Sequence, residues 1–241
     1  MCRIFAVRSR EPWPVAPAFE NLRKLSVQHK DGWGVVQFDD DCLKHHKDIC
    51  AAHASDHFHA LTRSLRSRNL LAHIREASVG GAHPDNTHPF CNGRWVFCHN
   101  GTVRGFDENR APLDGLIAEK WKACIKGQTD SERCFYLFLT NLEEGATSLD
   151  AVCKALTKTM RQVASLYPGT PDKPTTLNLF VTDGCITAVT RHGKTLFHVE
   201  RDGLRMIASE PLVDGEPWRE IPEDHLLTID ERLEAIIRPI P

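Results

Sequence analysis

Apolar and polar positions follow different patterns in successive parts of the chain. In the first part, short apolar runs and helical spacing alternate, which predicts strands at 1–7, 33–38, 69–74 and 94–99 and helices at 16–29 and 55–67. In the middle part, apolar residues recur every three or four positions. This periodicity predicts helices at 113–124, 131–142 and 149–166.

The last third of the chain has the pattern of successive hairpins. Strands are predicted at 176–182, 185–190, 195–200, 204–209 and 226–229. Turn dipeptides such as Asp183-Gly184 and Asp202-Gly203 separate them, so they are expected to pair antiparallel. The Pro- and Gly-rich stretch at 167–174 is interpreted as a loop rather than a boundary. The whole pattern therefore predicts a single α+β domain of stacked layers over 2–241.

Composition and charge exclude several classes of protein. Of the 241 residues, 41% are apolar and 26% are charged, which is typical of a globular domain. The net charge of -2 argues against an extended surface for nucleic acid or anionic lipid. No apolar run approaches the roughly 20 residues of a membrane helix. We therefore expect neither nucleic acid nor a membrane as a partner.

The N-terminus and the cysteines favour a cytoplasmic protein. Residues 1–7 contain no long apolar segment and no small-residue cleavage site, so no export signal is predicted. The nine cysteines are odd in number and form no Cys-x-x-Cys pair. Most of these thiols are expected to be small buried hydrophobic groups in a reducing compartment.

Cys2 is a candidate nucleophile because of its position. If Met1 is removed, Cys2 carries both a thiol and the α-amine of the chain. An α-amine titrates near ~7.7–8.0 and a thiol near ~8.5, so a proton can pass between them at neutral pH. An N-terminal amine can thus act as the base for its own side chain. The alternative is that this cysteine follows the start codon by chance.

Two predicted strand ends carry further candidates. Arg75 follows the strand at 69–74, where a guanidinium can bind a carboxylate through two parallel hydrogen bonds or pair with a neighbouring acid. Asn100 and Gly101 follow the strand at 94–99. An Asn amide beside a backbone N–H can stabilise an oxyanion, which is worth ~3–4 kcal/mol of barrier. The same dipeptide is also typical of a hairpin turn.

Asp130 lies at the start of a predicted helix, where a carboxylate can either cap the helix or receive a substrate ammonium. A zinc site is one alternative, because five potential ligands lie close together in sequence, namely His83, His88, Cys91, Cys98 and His99. Their spacing does not match the ligand pairs of zinc sites. No glycine-rich phosphate loop occurs either. We therefore predict neither a metal nor a cofactor.

The order of these motifs resembles one protein family. The motifs are Met1-Cys2, His29-Lys30-Asp31-Gly32-Trp33-Gly34, His73-Ile74-Arg75, Asn86-Thr87-His88-Pro89-Phe90, His99-Asn100-Gly101 and Thr129-Asp130-Ser131-Glu132. Together they resemble the class-II glutamine amidotransferases, which are N-terminal nucleophile hydrolases. The branch they resemble is that of stand-alone, single-domain members, including the γ-glutamyl amidohydrolase of ergothioneine biosynthesis. The resemblance implies an α+β fold, a four-layer α-β-β-α sandwich with two antiparallel sheets between helical layers.

The resemblance also implies roles for individual residues. The catalytic residues are Cys2 as nucleophile and Asn100 and Gly101 as the oxyanion hole. The substrate-binding residues are Arg75 for an α-carboxylate, Asp130 for an α-ammonium, Ser78 and His88. A structural role stays open for His88, as for His73 and Asp31. Two positions depart from the biosynthetic amidotransferases, where an aromatic residue follows the arginine and a histidine comes three positions later; here these are Glu76 and Val79.

The implied reaction is hydrolysis of a γ-glutamyl amide through a γ-glutamyl thioester, with release of glutamate and with Met1 removed on maturation. One alternative is a glutaminase subunit that delivers ammonia to a separate synthetase, a partner that is possible but not indicated. Another is a catalytically silent domain that retains the amino-acid pocket. The oligomeric state and the group on the γ-glutamyl nitrogen are not predicted.

Overall fold

The structure, a computed structural model, describes residues 2–39 and 42–240. The predicted removal of Met1 and the end of the predicted domain at Pro241 lie outside the described residues. The chain divides into two compact units that interleave in sequence. Unit 1 contains Met1–Ala77, Ala82–Pro89 and Thr195–Ile221, and unit 2 contains Ser78–Gly81, Phe90–Lys194 and Pro222–Pro241. The extent of the single domain, 2–241, stays a prediction.

Strands and α-helices alternate along the described chain. The strands are β1 (Arg3–Pro14), β2 (Trp33–Asp39), β3 (Cys42–Asp48), β4 (Arg66–Ile74), β5 (Phe90–Asn92), β6 (Trp95–Thr102), β7 (Gly169–Thr170), β8 (Lys173–Pro174), β9 (Thr176–Thr182), β10 (Thr187–Arg191), β11 (Phe197–Arg201), β12 (Leu204–Ala208), β13 (Arg219–Glu220), β14 (His225–Ile229) and β15 (Ala235–Pro239). The helices are α1 (Ala16–Leu25), α2 (Asp56–Ser64), α3 (Ala111–Leu116), α4 (Glu119–Lys122), α5 (Asp130–Asn141) and α6 (Leu149–Leu166). Two short 3-10 turns lie at Ala52–Ala54 and Pro84–Asn86.

Unit 1 is built on an antiparallel sheet with the strand order β13-β11-β12-β1-β4-β2-β3. The first strand lies in its interior, because β1 pairs with β12 on one side and β4 on the other, with Phe5 opposite both Ala208 and Ala72. Arg3 pairs with Ile74, so the start of β1 lies beside the end of β4. This pairing brings Cys2 next to the residues that follow β4.

The core of unit 1 joins one face of this sheet to α1 and α2. Alternate residues of β1 and β4 belong to it, as expected from the two-residue period of a strand. The ring of Phe19 in α1 stacks on Phe58 in α2 at 5.0 Å, and Trp33 of β2 meets Phe58 edge-on at 5.1 Å. Ser55 caps α2 by accepting the Phe58 N–H at 3.2 Å.

Unit 2 is built on a second antiparallel sheet with the order β15-β14-β10-β9-β6-β5. Its core joins β6 and β9 to the long helices α5 and α6. Phe97 of β6 stacks on Phe135 of α5 at 5.4 Å. Both helices begin at a hydroxyl cap, since Thr129 accepts the Glu132 N–H at 3.1 Å and Ser148 accepts the Ala151 N–H at 3.3 Å.

The predicted α+β class with two antiparallel sheets and helices is confirmed. Helix α6 and strand β9 have the predicted bounds. The helix predicted at 113–124 is instead two short helices, because Ile117 and Ala118 between α3 and α4 have extended backbone conformations. Among residues 2–39 and 42–240, no helix is both long enough and apolar enough to cross a membrane.

The late hairpins do not form one continuous sheet. Strands β9, β10 and β14 belong to the sheet of unit 2, whereas β11 and β12 join β1 in unit 1. The edge strands β3 and β15 were not predicted. Strand β3 contains the polar run Lys44-His45-His46-Lys47, and an edge strand is only partly buried, so it lacks the apolar signal of an inner strand.

Candidate active site

The Cys2 sulfur lies against the backbone of Glu76 in unit 1. The Glu76 N–H donates to Cys2 Sγ at 3.4 Å, and the thiol donates to the Glu76 carbonyl oxygen, also at 3.4 Å. Sulfur is a weak donor and a weak acceptor, so these contacts orient the thiol without holding it strongly. The N–H is the group that would also stabilise a thiolate.

The segment that follows β4 is held by the loop that precedes β2. The Arg75 N–H donates to the Gly32 carbonyl at 2.8 Å, and the Asp31 N–H donates to the Arg75 carbonyl at 3.1 Å. The Asp31 carboxylate accepts the Ala77 N–H at 2.8 Å. Cys2, His29, Asp31 and Arg75–Ala77 are hereafter the thiol segment. Asp31 therefore has a positioning role that its motif alone did not define.

His29 and Glu76 form a polar pair inside the thiol segment. His29 Nδ1 lies 3.2 Å from a carboxylate oxygen of Glu76. Burial, and secondarily the Arg3 guanidinium, lower the pKa of His29 to about 4. The imidazole is therefore neutral at neutral pH, and its Nδ1–H donates to the carboxylate. Because the ring is neutral, the contact is a hydrogen bond rather than an ion pair.

Arg75 and His88 are both buried in unit 1. Arg75 is 2% exposed, and its Nη1 approaches the Asp31 carbonyl at 3.4 Å. The ring of His88 stacks on that of His73 with centroids 4.2 Å apart. A Cβ at Gly34 would lie 2.1 Å from the His88 carbonyl oxygen, so this packing requires glycine there. The packing favours the structural alternative for His88, and its role in substrate binding stays a prediction.

In unit 2, Asp130 is the first residue of α5 and is 3% exposed. The Val103 N–H donates to Oδ2 at 2.8 Å, and the Ser131 N–H donates to Oδ1 at 2.8 Å. A carboxylate offers about four lone-pair sites, so two backbone donors leave acceptor capacity. The arrangement can receive an ammonium group, as predicted for a substrate α-amine.

His99 and Ser131 extend this arrangement. His99 Nε2 lies 3.0 Å from the Thr176 carbonyl oxygen, which can only accept, so Nε2 carries a proton. Ser131 Oγ lies 2.9 Å from His99 Nδ1 and donates to Asp130 Oδ1 at 3.1 Å, so it joins the two side chains. His99, Val103, Asp130, Ser131 and Thr176 are hereafter the carboxylate cluster. His99 and Ser131 are neighbours in sequence of the predicted site residues Asn100 and Asp130. No pattern in the sequence predicts that their side chains meet.

Asn100 and Gly101 lie on β6, where Gly101 is opposite Leu177 of β9. The Thr102 N–H donates to Thr176 Oγ1 on the β9 side at 3.0 Å. Successive N–H groups of a strand point to opposite edges, so the Gly101 N–H points away from β9. On that side, β5 pairs only with residues 95–97, so it ends before Gly101. This orientation suits an oxyanion donor.

Ser78 and Val79 belong to a bend in unit 2. Ser78 is exposed, and among residues 2–39 and 42–240 no side-chain contact supports or opposes its predicted role. Val79, which occupies the position of a histidine in the biosynthetic amidotransferases, is 8% exposed and belongs to the core of unit 2. Of the predicted residues, Cys2, Arg75 and His88 thus lie in unit 1, and Asn100, Gly101, Asp130 and Ser78 lie in unit 2.

Potential metal ligands gather at one place in the described parts of the chain. His192, Glu223 and Asp224 have ligand atoms within 4.8 Å of one another. Glu223 also lies 3.4 Å from Arg191 and accepts the Gly193 N–H. None of these three residues is a predicted site residue.

Comparison with known proteins identifies the family. A family model described as class-II glutamine amidotransferases matches residues 1–203. The chain belongs to this family. A Mycobacterium tuberculosis protein named gamma-glutamyl-hercynylcysteine sulfoxide hydrolase is 30% identical over 87% of this chain and 79% of its own. The Mycolicibacterium smegmatis protein of the same name is 28% identical over 90% of this chain and 85% of its own.

Solved structures share the fold of this class-II glutamine amidotransferase. A glutamine aminotransferase class-II domain protein from Silicibacter pomeroyi is 24% identical, covers 99% of both chains and has a TM-score of 0.73. The glutamine phosphoribosylpyrophosphate amidotransferase of B. subtilis has a TM-score of 0.70 at 16% identity, and the match spans 49% of that longer chain. Family membership and the hydrolase relatives indicate that this chain is an enzyme of the amidohydrolase type.

Proposed function

We propose that this enzyme hydrolyses a γ-glutamyl amide with Cys2 as nucleophile. The observation that carries the proposal is the setting of the Cys2 sulfur, 3.4 Å from the Glu76 N–H and directly beside Arg75 at the end of β4. The names of the mycobacterial relatives support a γ-glutamyl substrate. We expect a small-molecule substrate and a cytoplasmic reaction.

In the first step, the Cys2 thiol gives its proton to its own α-amine, and the sulfur attacks the side-chain carbonyl carbon of the γ-glutamyl group. A C–S bond forms, and the carbonyl electron pair moves to the oxygen. We assign the stabilisation of this oxyanion to the Asn100 amide and the Gly101 N–H. Arg75 binds the α-carboxylate and Asp130 the α-ammonium, which orients the scissile amide for attack.

In the second step, the C–N bond breaks and the leaving nitrogen takes a proton from the α-amine of Cys2. The product is a γ-glutamyl thioester. Water then attacks this thioester and gives a proton to the α-amine. The C–S bond breaks, the proton passes to the sulfur, and glutamate leaves with the thiol regenerated. Met1 must be absent, because an amide nitrogen is not basic; we expect the active protein to begin at Cys2.

The test is Cys2→Ala, compared with the matched variant Cys185→Ala, which removes an exposed thiol of unit 2. We expect Cys2→Ala to fold normally and to lose about 10⁴-fold or more in kcat, since removal of a nucleophile abolishes the covalent route. Cys185→Ala should retain full activity. Glutamate release by Cys2→Ala at the rate of the unchanged enzyme would refute the mechanism.

The substrate is identified by glutamate release from a panel of γ-glutamyl amides, from glutamine to γ-glutamyl dipeptides and thiol-containing conjugates. We expect a larger conjugate to have the higher kcat/KM. Equal or better turnover of glutamine, rising on addition of a synthetase, would instead favour a subunit that supplies ammonia. Intact mass after expression checks whether the active chain begins at Cys2. Full activity of protein that retains Met1 would exclude the α-amine as the base.

A further inference from the structure

The outward side of α6 borders a cavity of about 440 Å³ in unit 2. Seven of its lining residues come from α6, and β14 and β15 supply Leu226, Arg238 and Pro239. The volume lies within the range of small-molecule sites, about 300–1,000 Å³. None of the residues assigned to γ-glutamyl hydrolysis lines this cavity.

The floor and the rim of this cavity differ in character. The floor consists of the buried residues Cys153, Thr157 and Leu226, which are 2%, 5% and 0% exposed. The rim is cationic, with Lys154, Lys158, Arg161 and Arg238 exposed around it. An anionic head group could therefore bind at the rim while an uncharged body occupies the floor.

The described carboxylates balance only part of the rim charge. Lys154 is paired with Asp150 at 2.7 Å. Lys158, Arg161 and Arg238 have no carboxylate within ion-pair distance among residues 2–39 and 42–240. By contrast, Arg94, Lys120 and Arg133 of the same unit each pair with an acid. Three like charges around one cavity repel each other, and a bound anion would remove that repulsion.

Thr157 supplies a possible hydrogen-bond donor at the floor of the cavity. A buried helical threonine usually donates its hydroxyl to the carbonyl one turn earlier. Thr159 does so to Ala155 at 2.8 Å, and Thr62 does so to Phe58 at 2.9 Å. In the described part of the chain, Thr157 makes no such bond, although it is 95% buried and lines the cavity. The Thr157 hydroxyl can therefore donate to an acceptor in the cavity.

We propose that this cavity binds the phosphate monoester of a small organic molecule. Arg161 and Arg238 suit a phosphate because a guanidinium can donate two parallel hydrogen bonds to its oxygens. Lys158 adds a third positive charge, and the Thr157 hydroxyl donates to the ligand. The cavity is larger than a phosphate ion alone, so its apolar floor selects a ligand with an organic body.

The test uses phenyl phosphate as the probe, titrated into the full chain by calorimetry at constant ionic strength. Inorganic phosphate and phenol are titrated in parallel. We expect saturable, one-to-one binding of phenyl phosphate, with inorganic phosphate weaker and phenol undetectable. No saturation by phenyl phosphate at millimolar concentration, or equal affinity for inorganic phosphate, would overturn the proposal.

Two matched pairs of variants locate the binding. Arg161→Gln should weaken phenyl phosphate binding by about tenfold or more, whereas Arg63→Gln, at an exposed arginine of unit 1, should leave it unchanged. Thr157→Val should weaken binding several-fold without lowering the thermal midpoint. Thr159→Val should lower the midpoint, since Thr159 is hydrogen-bonded, and leave binding unchanged. Equal weakening within either pair would show that binding lies elsewhere.

Discussion

The thiol segment of unit 1 and the carboxylate cluster of unit 2 hold their reactive groups in different ways. The Cys2 sulfur has two backbone contacts of 3.4 Å and is only half-buried, whereas Asp130 is 3% exposed and accepts two backbone N–H groups at 2.8 Å. A group that binds a substrate orients it better when its own position is fixed. A nucleophile must form and break a bond, and strong donors that lower a thiol pKa also lower its nucleophilicity.

The largest effect is expected at the carboxylate cluster, from Asp130→Asn. The variant loses the charge that we propose binds a substrate ammonium, so kcat/KM should fall by about 10²–10³-fold. Steady-state kinetics with a γ-glutamyl amide measures this loss. Asp172→Asn, at an exposed loop carboxylate, is the matched control and should retain activity. An N-acylated substrate, which lacks the ammonium, should be much less affected by Asp130→Asn; an equal loss would make Asp130 purely structural.

The next effect concerns the backbone beside that cluster. A Cβ at Gly101 would lie 2.0 Å from the Thr176 carbonyl oxygen. Gly101→Ala should therefore lower the free energy of unfolding by about 3 kcal/mol. Gly115→Ala, whose Cβ would meet no atom within 4 Å, should leave it unchanged or raise it by up to about 1 kcal/mol. Urea denaturation compares the two, and equal stabilities would show that β6 can shift to accommodate a side chain.

A smaller effect is expected in the thiol segment. Asp31→Ala removes the acceptor of the Ala77 N–H, which should cost about 1–2 kcal/mol of folding stability. It should also change the rate at which iodoacetamide alkylates Cys2, because the chain beside the sulfur loses its support. Lys30→Ala, at the exposed neighbour, is the control. If Asp31→Ala matches this control in both measurements, the loop does not position the thiol.

The smallest effect is the pH dependence contributed by His29. Its pKa is about 4 in the folded protein and near 6.5 when unfolded, so between these values the unfolded chain binds the extra proton. Stability should therefore fall as the pH falls through that window. The test measures urea midpoints at about pH 7 and at about pH 5. The difference between the two midpoints should be smaller in His29→Gln than in the wild-type enzyme.

The His29→Gln variant should keep part of the pH dependence of stability, because it still contains His45. Burial and the nearby Lys47 lower the pKa of His45 to about 4. His59→Gln, at a residue only partly buried on α2, is the control and should keep the full dependence. An unaltered pH dependence in His29→Gln would mean that His29 has no lowered pKa in the folded state.

Much of the local structure and the family could be predicted from the sequence. Helix α6 and strand β9 were predicted with their observed bounds, because α6 has a hydroxyl cap and a helical apolar period and β9 is buried throughout. The motifs around Cys2, Arg75, Asn100 and Asp130 indicated the class-II glutamine amidotransferases, and the match over residues 1–203 confirms this. The roles of these residues stay predictions.

The helix predicted at 113–124 and the unpredicted strands β3 and β15 show where local patterns failed. The apolar positions of α3 and α4 have helical spacing. This spacing continues through Ile117 and Ala118, so it does not predict that the helix is interrupted there. The polar edge strand β3 depends on hydrogen bonds to β2 for its existence. The two strands are adjacent in sequence, but their pairing leaves no apolar pattern in β3 itself.

The sequence by itself determined which residues can do chemistry and which segments are helical or extended, because side-chain types and apolar periods are local properties. Only the tertiary structure decided that β11 and β12 join β1, and that His29 meets Glu76 and Ser131 meets His99. It also decided the lowered pKa of His29. Strand partners, burial and the field of nearby charges arise from residues far apart in the chain, so they exist only once the chain has folded.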